Sequence, residues 1–130
     1  MIVLDTSFLI DFFKDETLAD ILPSDEQAAV TVISYYEIMA GVHRLRAKRE
    51  TAFFHAFFAS VDILDFTLPA ADIASMIGAK MSAEGNRVNA FDILIAGIAL
   101  AHHAPVIITA DTDFTAIAKY ADIEVRAYRR

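Results

Sequence analysis

Apolar positions in this chain alternate between short continuous runs and stretches with helical spacing. Residues 2–4 ("IVL") read as a short buried strand, and residues 28–33 ("AAVTVI") as a second, β-branched and apolar on both faces. "VIITA" at 106–110 is a third, fully buried strand. "VDILDF" at 61–66 and "DIEVRAY" at 122–128 are further strand candidates, the last near a sheet edge. Helical spacing covers residues 7–14, with a short piece over 18–22 that stops at Pro23. "SYYEIMAGVHRLRAKRE" at 34–50 is helical with Ser34 as its N-cap, and residues 50–59 place Phe53, Phe54, Phe57 and Phe58 on one broad face. Residues 69–83 predict an amphipathic helix ended by Gly85 in a left-handed C-cap. Asn89 caps a buried helix running to about residue 103, and Pro105 enforces the exit. Strands alternating with helices predict an α/β fold, a three-layer α/β/α sandwich around a mostly parallel sheet, as one domain over 1–130.

Composition narrows the function. A 56% hydrophobic chain with 22% charged residues is globular, and the lack of cysteine removes disulfides and thiolate metal sites. The apolar run at 93–101 is too short to span a bilayer, and Met1 leads straight into the first strand, so a cytoplasmic protein is expected. A net charge of −7 argues against an extended nucleic-acid footprint. Any phosphate contact must be local, and the dense basic run is "HRLRAKR" at 43–49. Arg44, Arg46, Lys48 and Arg49 in that run are candidates for RNA contact, against the alternative of a solvated helix face. The Phe-rich helix is core, or one wall of a groove for a partner helix.

The acids carry the chemistry. Asp5 ends the first strand; Asp111 ends "VIITA" in the same way, with Asp113 two residues on. Glu37 lies in the first turn of the helix after the second strand. In a parallel sheet these places share the rim outside the carboxyl ends of the strands, where open α/β sheets bind ligands. Asp92 opens the helix leading into "VIITA", so strand order alone does not bring it there. Singly, Glu37 and Asp92 fit capping boxes with Ser34 and Asn89. Asp5 and Asp111 directly follow buried strands and lack that explanation. Four converging carboxylates without cations would resist full ionisation. No lysine or arginine adjoins Asp5, Asp92 or Asp111 in sequence. An oxygen-rich, sulfur-free site of this kind suits Mg²⁺ or Mn²⁺, which can activate water for phosphodiester displacement. His55, His102 and His103 show no metal-ligand spacing and are not needed.

With these residues in view, the chain resembles the PIN-domain ribonucleases, specifically VapC-type toxins of toxin–antitoxin pairs. "VLDTSFLIDFF", "YYEIMAGV", "FDILIAGIAL" and "IITADTDF" are similar, in that order, to the family's four acid-bearing motifs and cover nearly the whole chain. The resemblance implies a metal site of Asp5, Glu37, Asp92 and Asp111, supported by the hydroxyls of Thr6, Ser7 and Thr109. Asp111 is favoured as the closing acid, with Asp113 supporting it or holding a second ion. It further implies a homodimer, a cognate antitoxin and cleavage of structured cellular RNA.

Other classes fit less well. A phosphotransferase using Asp5 as nucleophile usually wants an acid two residues later, where Ser7 stands. A receiver-type signalling module wants adjacent acids after the first strand and a late lysine, which "LDTS" and "ITAD" do not supply. A PIN-like module that only binds RNA or protein would have no need of all four acids.

Overall fold

Five short strands make one all-parallel sheet in the order β3-β2-β1-β4-β5. The strands are β1 (Ile2–Leu4), β2 (Ala28–Thr31), β3 (Asp62–Leu64), β4 (Val106–Thr109) and β5 (Glu124–Ala127). The helices are α1 (Thr6–Lys14), α2 (Val32–Leu45), α3 (Lys48–Ser60), α4 (Leu68–Ala83), α5 (Ala90–Ala101) and α6 (Asp113–Ile117), with a 3-10 turn over Glu16–Ile21. This is a computed structural model, and it describes residues 1–129. The three-layer α/β/α sandwich expected from the sequence is the one observed.

The strand pleat divides the core in two. Successive side chains of a strand point to opposite faces. Val3, Ala29 and Ile107 therefore join a core formed with α4, α5 and α6, built around Ala70, Ile77, Met81, Ile95, Ile98 and Phe114. Ile2, Leu4, Val30 and Ile108 turn the other way, into Phe8, Leu9, Ile38, Val42, Phe54 and Phe58 of α1, α2 and α3. Burial on both faces explains why the central strands read as unbroken apolar runs.

Helix ends follow capping chemistry. Gly85, at φ +73°, ends α4 in a Schellman motif: the Asn86 N–H donates to Met81 O (2.9 Å) and the Gly85 N–H to Ser82 O (3.1 Å). The Asn89 side chain accepts from the Phe91 N–H at 2.9 Å and opens α5 as expected.

Three expectations need correction. Ser34 is not the cap of α2; the Thr31 hydroxyl accepts the Ser34 N–H at 3.1 Å and the helix starts two residues earlier, at Val32. The basic run is not one helix, because Arg46 takes the left-handed conformation at φ 52° and ends α2. Lys48 and Arg49 open α3 instead. The third strand keeps only Asp62–Leu64 of the predicted 61–66.

Candidate active site

The carboxyl ends of β1, β2 and β4 lie side by side, and Asp5 follows β1 directly. It is the N-cap of α1, and its Oδ2 accepts from the Ser7 N–H (3.3 Å), the Ser7 hydroxyl (2.8 Å) and the Thr109 hydroxyl (2.8 Å). Asp5 thus has a capping duty that the sequence reading denied it. The two hydroxyls also accept in turn, Ser7 Oγ from the Ala110 N–H (3.1 Å) and Thr109 Oγ1 from the Asp111 N–H (2.9 Å). Asp5, Ser7 and Thr109 therefore lock the start of α1 to the loop leaving β4. All three are buried.

Only one oxygen of Asp5 is used this way. Oδ1 is buried and has no hydrogen-bond partner. Burial raises the Asp5 carboxyl above its ordinary range despite the hydrogen bonds from Thr109 and Ser7 that oppose the rise.

Glu37 is held by hydroxyls. Its Oε1 accepts from Thr6 Oγ1 at 2.9 Å, and Thr6 Oγ1 lies 2.8 Å from Ser34 Oγ. With the Thr6 proton on Glu37, Ser34 donates to Thr6. Ser34, fully buried, is thus a supporting residue that the sequence reading took for a helix cap. A serine three residues before an acid was the only signal in the sequence, and it read as a capping box. Because α2 begins at Val32, Glu37 is the sixth residue of the helix, counting from Val32, and lies beyond the reach of a capping box. Burial raises its carboxyl, the Thr6 hydrogen bond opposes that, and the charges of Asp5 and Asp111 add to the rise.

Asp92 stands in the first turn of α5, buried at 6% exposure. Long-range contact brings it to the rim: Asp113 Oδ2 accepts the Asn89 N–H at 3.1 Å, while Asp111 Oδ1 accepts the Asp113 N–H at 2.9 Å. Oxygen atoms of Asp92, Asp111 and Asp113 all lie within 4.8 Å of one another. Both acids of the closing motif therefore adjoin Asp92, while Asp5 and Glu37 stand outside this trio and couple to it through charge. Burial first, then the charge of Asp5 and the carboxyls of Asp113 and Asp111, push Asp92 up to about 9. Its Oδ2, like Asp5 Oδ1, is buried without a partner.

No ion pair among the described residues relieves these acids; the ion pairs present join Arg126 to Glu26 and Glu124. Buried charge without partners is costly. Two orphaned carboxylate oxygens, an all-oxygen donor set and the lack of a compensating cation fit a hard divalent ion.

The four basic candidates do not share one face. Arg44 lines a groove of about 280 Å³ with Glu37, Ile10, Phe13, Leu45 and Phe54. Arg46 and Lys48 line a separate open cleft with His43 and His55. The Arg49 guanidinium sits 5.7 Å from the centre of the Phe13 ring. The Phe-rich helix is mainly core: Phe54 and Phe58 are buried, and Phe53 and Phe57 pack against Phe12.

The PIN domain family model matches residues 2–120. The chain belongs to the PIN domain family. Solved structures agree. The chain is similar to one in the crystal structure of VapBC-5 from Mycobacterium tuberculosis, a member of the VapBC family of toxin–antitoxin systems. The TM-score is 0.75 at 27% identity, covering 97% of each chain. It matches the fold of a chain in VapBC2 from Rickettsia felis bound to a promoter DNA fragment. There the TM-score is 0.82 at 19% identity, covering 98% of this chain and 99% of that one. DNA-bound VapBC from Salmonella typhimurium gives 0.82 at 23% identity, covering 97% and 96%. Comparison with curated proteins finds no match. Among the described residues, no helix of this PIN domain is long and apolar enough to cross a membrane.

Proposed function

We propose that this PIN domain is a divalent-metal-dependent endoribonuclease and the toxin half of a toxin–antitoxin pair. The observation that carries the reading is the pair of buried, unpartnered oxygens, Asp5 Oδ1 and Asp92 Oδ2, among acids with no cation to neutralise them. Asp5, Asp92 and Asp111, with Glu37 and Asp113, would hold Mg²⁺, or Mn²⁺ in its place. A divalent ion held there supplies charge neutralisation for a phosphodiester and a nucleophilic water at neutral pH.

The chain's own groups do the positioning. Ser7 and Thr109 fix one Asp5 oxygen and leave the other buried without a partner, available to ligate an ion. Thr6 and Ser34 hold the Glu37 carboxylate through Oε1, from where it would orient the attacking water and take up its proton. Arg44, which lines the same groove as Glu37, offers a basic contact to an RNA phosphate. Arg49, over the Phe13 ring that lines the same groove, extends that contact, while Arg46 and Lys48 would offer a second one from their separate cleft. Several solved relatives are toxin–antitoxin complexes. By that likeness a cognate antitoxin would bind this protein, and the apolar groove lined by Ile10, Phe13, Leu45 and Phe54 is the seat we assign to it; a homodimer in the cytoplasm is part of the same proposal.

The purified protein should cleave total cellular RNA with Mg²⁺ or Mn²⁺ and not with EDTA. Asp5→Asn should lower the rate at least about a hundredfold, the scale for losing a group that stabilises developing charge, while the protein stays folded. Undiminished metal-dependent cleavage by Asp5→Asn would sink the assignment and favour a binding module.

A further inference from the structure

Each of two acids of the site is preceded in sequence by an aromatic residue: Tyr36 before Glu37 and Phe91 before Asp92. The two rings meet edge to face, 5.8 Å between centroids at 78°, and so bridge α2 and α5 beside the acids. Tyr36 is nevertheless 59% exposed. Tyr35, its neighbour, packs instead on Phe58 of α3. A single exposed tyrosine on a helix is unremarkable. This one is braced by a second ring on the other acid-bearing helix, and the pair marks the edge of the proposed metal site.

Edge-to-face packing uses one face of one ring, so a flat apolar surface remains open toward solvent. The acids repel a polyanion except where a metal neutralises them, and of the four basic candidates only Arg44 shares a groove with an acid of the site. A neutral ring attracts RNA without charge. Every nucleobase has a π-face, and base–aromatic stacking contributes roughly 1–3 kcal/mol per base. A base inside a duplex cannot present that face.

We propose that Tyr36, braced by Phe91, is a stacking platform for one unpaired nucleobase beside the scissile phosphate. This rests on the endoribonuclease reading above.

Steady-state kinetics on a single-stranded RNA, and on the same RNA annealed to its complement, test it. A second readout is fluorescence of a short single-stranded RNA carrying 2-aminopurine, bound to the Asp5→Asn protein with and without the Tyr36 change. The parent should prefer the single strand and quench 2-aminopurine. Tyr36→Ala should raise KM about tenfold, within the range for losing one stacked base, with kcat little changed and the quench gone. Tyr36→Phe should restore both. The proposal fails if Tyr36→Ala matches a cleaving parent in KM, or if Tyr36→Phe is as impaired as Tyr36→Ala. Equal cleavage of duplex RNA by the parent also overturns it. So does a Tyr36→Ala protein whose change is in oligomeric state by light scattering, which would make the pair a subunit interface. A parent that quenches 2-aminopurine yet cleaves nothing would overturn the nuclease reading and leave the platform standing.

Discussion

The two helical layers are fixed to the same sheet by opposite means. On one side, rings fill the space: Phe8, Phe12, Phe13, Phe53, Phe54 and Phe57 contact one another in stacked, tilted and T-shaped pairs. On the other, small residues let backbones meet. A Cβ placed on Gly97 of α5 would lie 2.6 Å from Ala70 O and 2.9 Å from Ala74 Cβ of α4. The difference bears on the site, because each layer supplies one of the buried or half-buried helical acids. Asp92 is carried by the close-packed layer, where backbone contact sets the position of α5. Glu37 is carried by the ring-filled layer and owes its place to the Thr6 and Ser34 hydroxyls. Ring packing leaves several arrangements of similar volume available, whereas backbone-to-backbone contact leaves one.

The most severe break in this comparison is Gly97→Ala. Two of the three atoms its methyl would meet are backbone, so α4 and α5 must separate. The cost should be about 3 kcal/mol, the upper part of the usual range for overpacking. It should appear as a lower urea midpoint with an unchanged m-value. Displacement of α5 also carries Asp92 away from Asp111 and Asp113, so cleavage should fall even where the variant is folded. A Gly97→Ala protein as stable as the parent would show that the close-packed layer has slack.

A smaller effect separates the two layers by charge. Asp5, Glu37 and Asp92 all have raised carboxyls in the metal-free protein, Asp92 the furthest, from 3.8 to about 9. In this window the native state holds protons that the unfolded chain has already released. Stability from these groups is therefore present in full at low pH and lost as pH rises from about 4 toward about 9. In EDTA, the melting temperature of Asp92→Asn relative to the parent should climb across that window. Glu37→Gln should show the same sign with a smaller slope, since its carboxyl is only half-buried. Mg²⁺ should stabilise the parent more than either variant, because a ligand of the native state stabilises according to its affinity. Variants that melt below the parent in EDTA at pH 8 and keep its full Mg²⁺ increment would mean that the acids serve only as structural hydrogen-bonding groups.

How much of this was legible in the sequence differs between residues for physical reasons. The order of strands and helices was readable because the central strands are buried on both faces and the helices between them are long. Boundaries failed where β-branched residues begin a helix. Val32 and Ile33 read as strand, yet Thr31 caps them into α2, and that two-residue shift turned Ser34 from a supposed cap into part of the Glu37 support. Arg46 gave no warning, since a left-handed residue is usually glycine and the run has none there. The strand-end acids Asp5 and Asp111 were visible from chain order. The closeness of Asp92 to Asp113 was not, because it depends on a hydrogen bond between Asn89 and a residue 24 positions away. Gly97 did leave a trace: a glycine inside an apolar helix costs about 1 kcal/mol against alanine, so its presence there points to close packing.

The smallest expected effect is also the sharpest form of the comparison, because it makes the same substitution in the other layer. Gly41 lies inside α2, and a Cβ added there meets nothing within 4 Å. Its backbone is ordinary helix, with no positive φ to strain. Alanine at this position should reduce the freedom of the unfolded chain without any native cost, a gain of roughly 0.5–1 kcal/mol. The melting temperature should rise by about 2–5 °C, and RNA cleavage should be retained. Gly41 also lines the groove assigned to the antitoxin, so the methyl enters the space that a partner segment would fill. Titration of the cognate antitoxin onto Gly41→Ala should therefore show weaker binding by a more stable protein. A Gly41→Ala protein that is destabilised like Gly97→Ala would mean that the ring-filled layer is as tightly specified as its counterpart. The contrast between the two layers would then not hold.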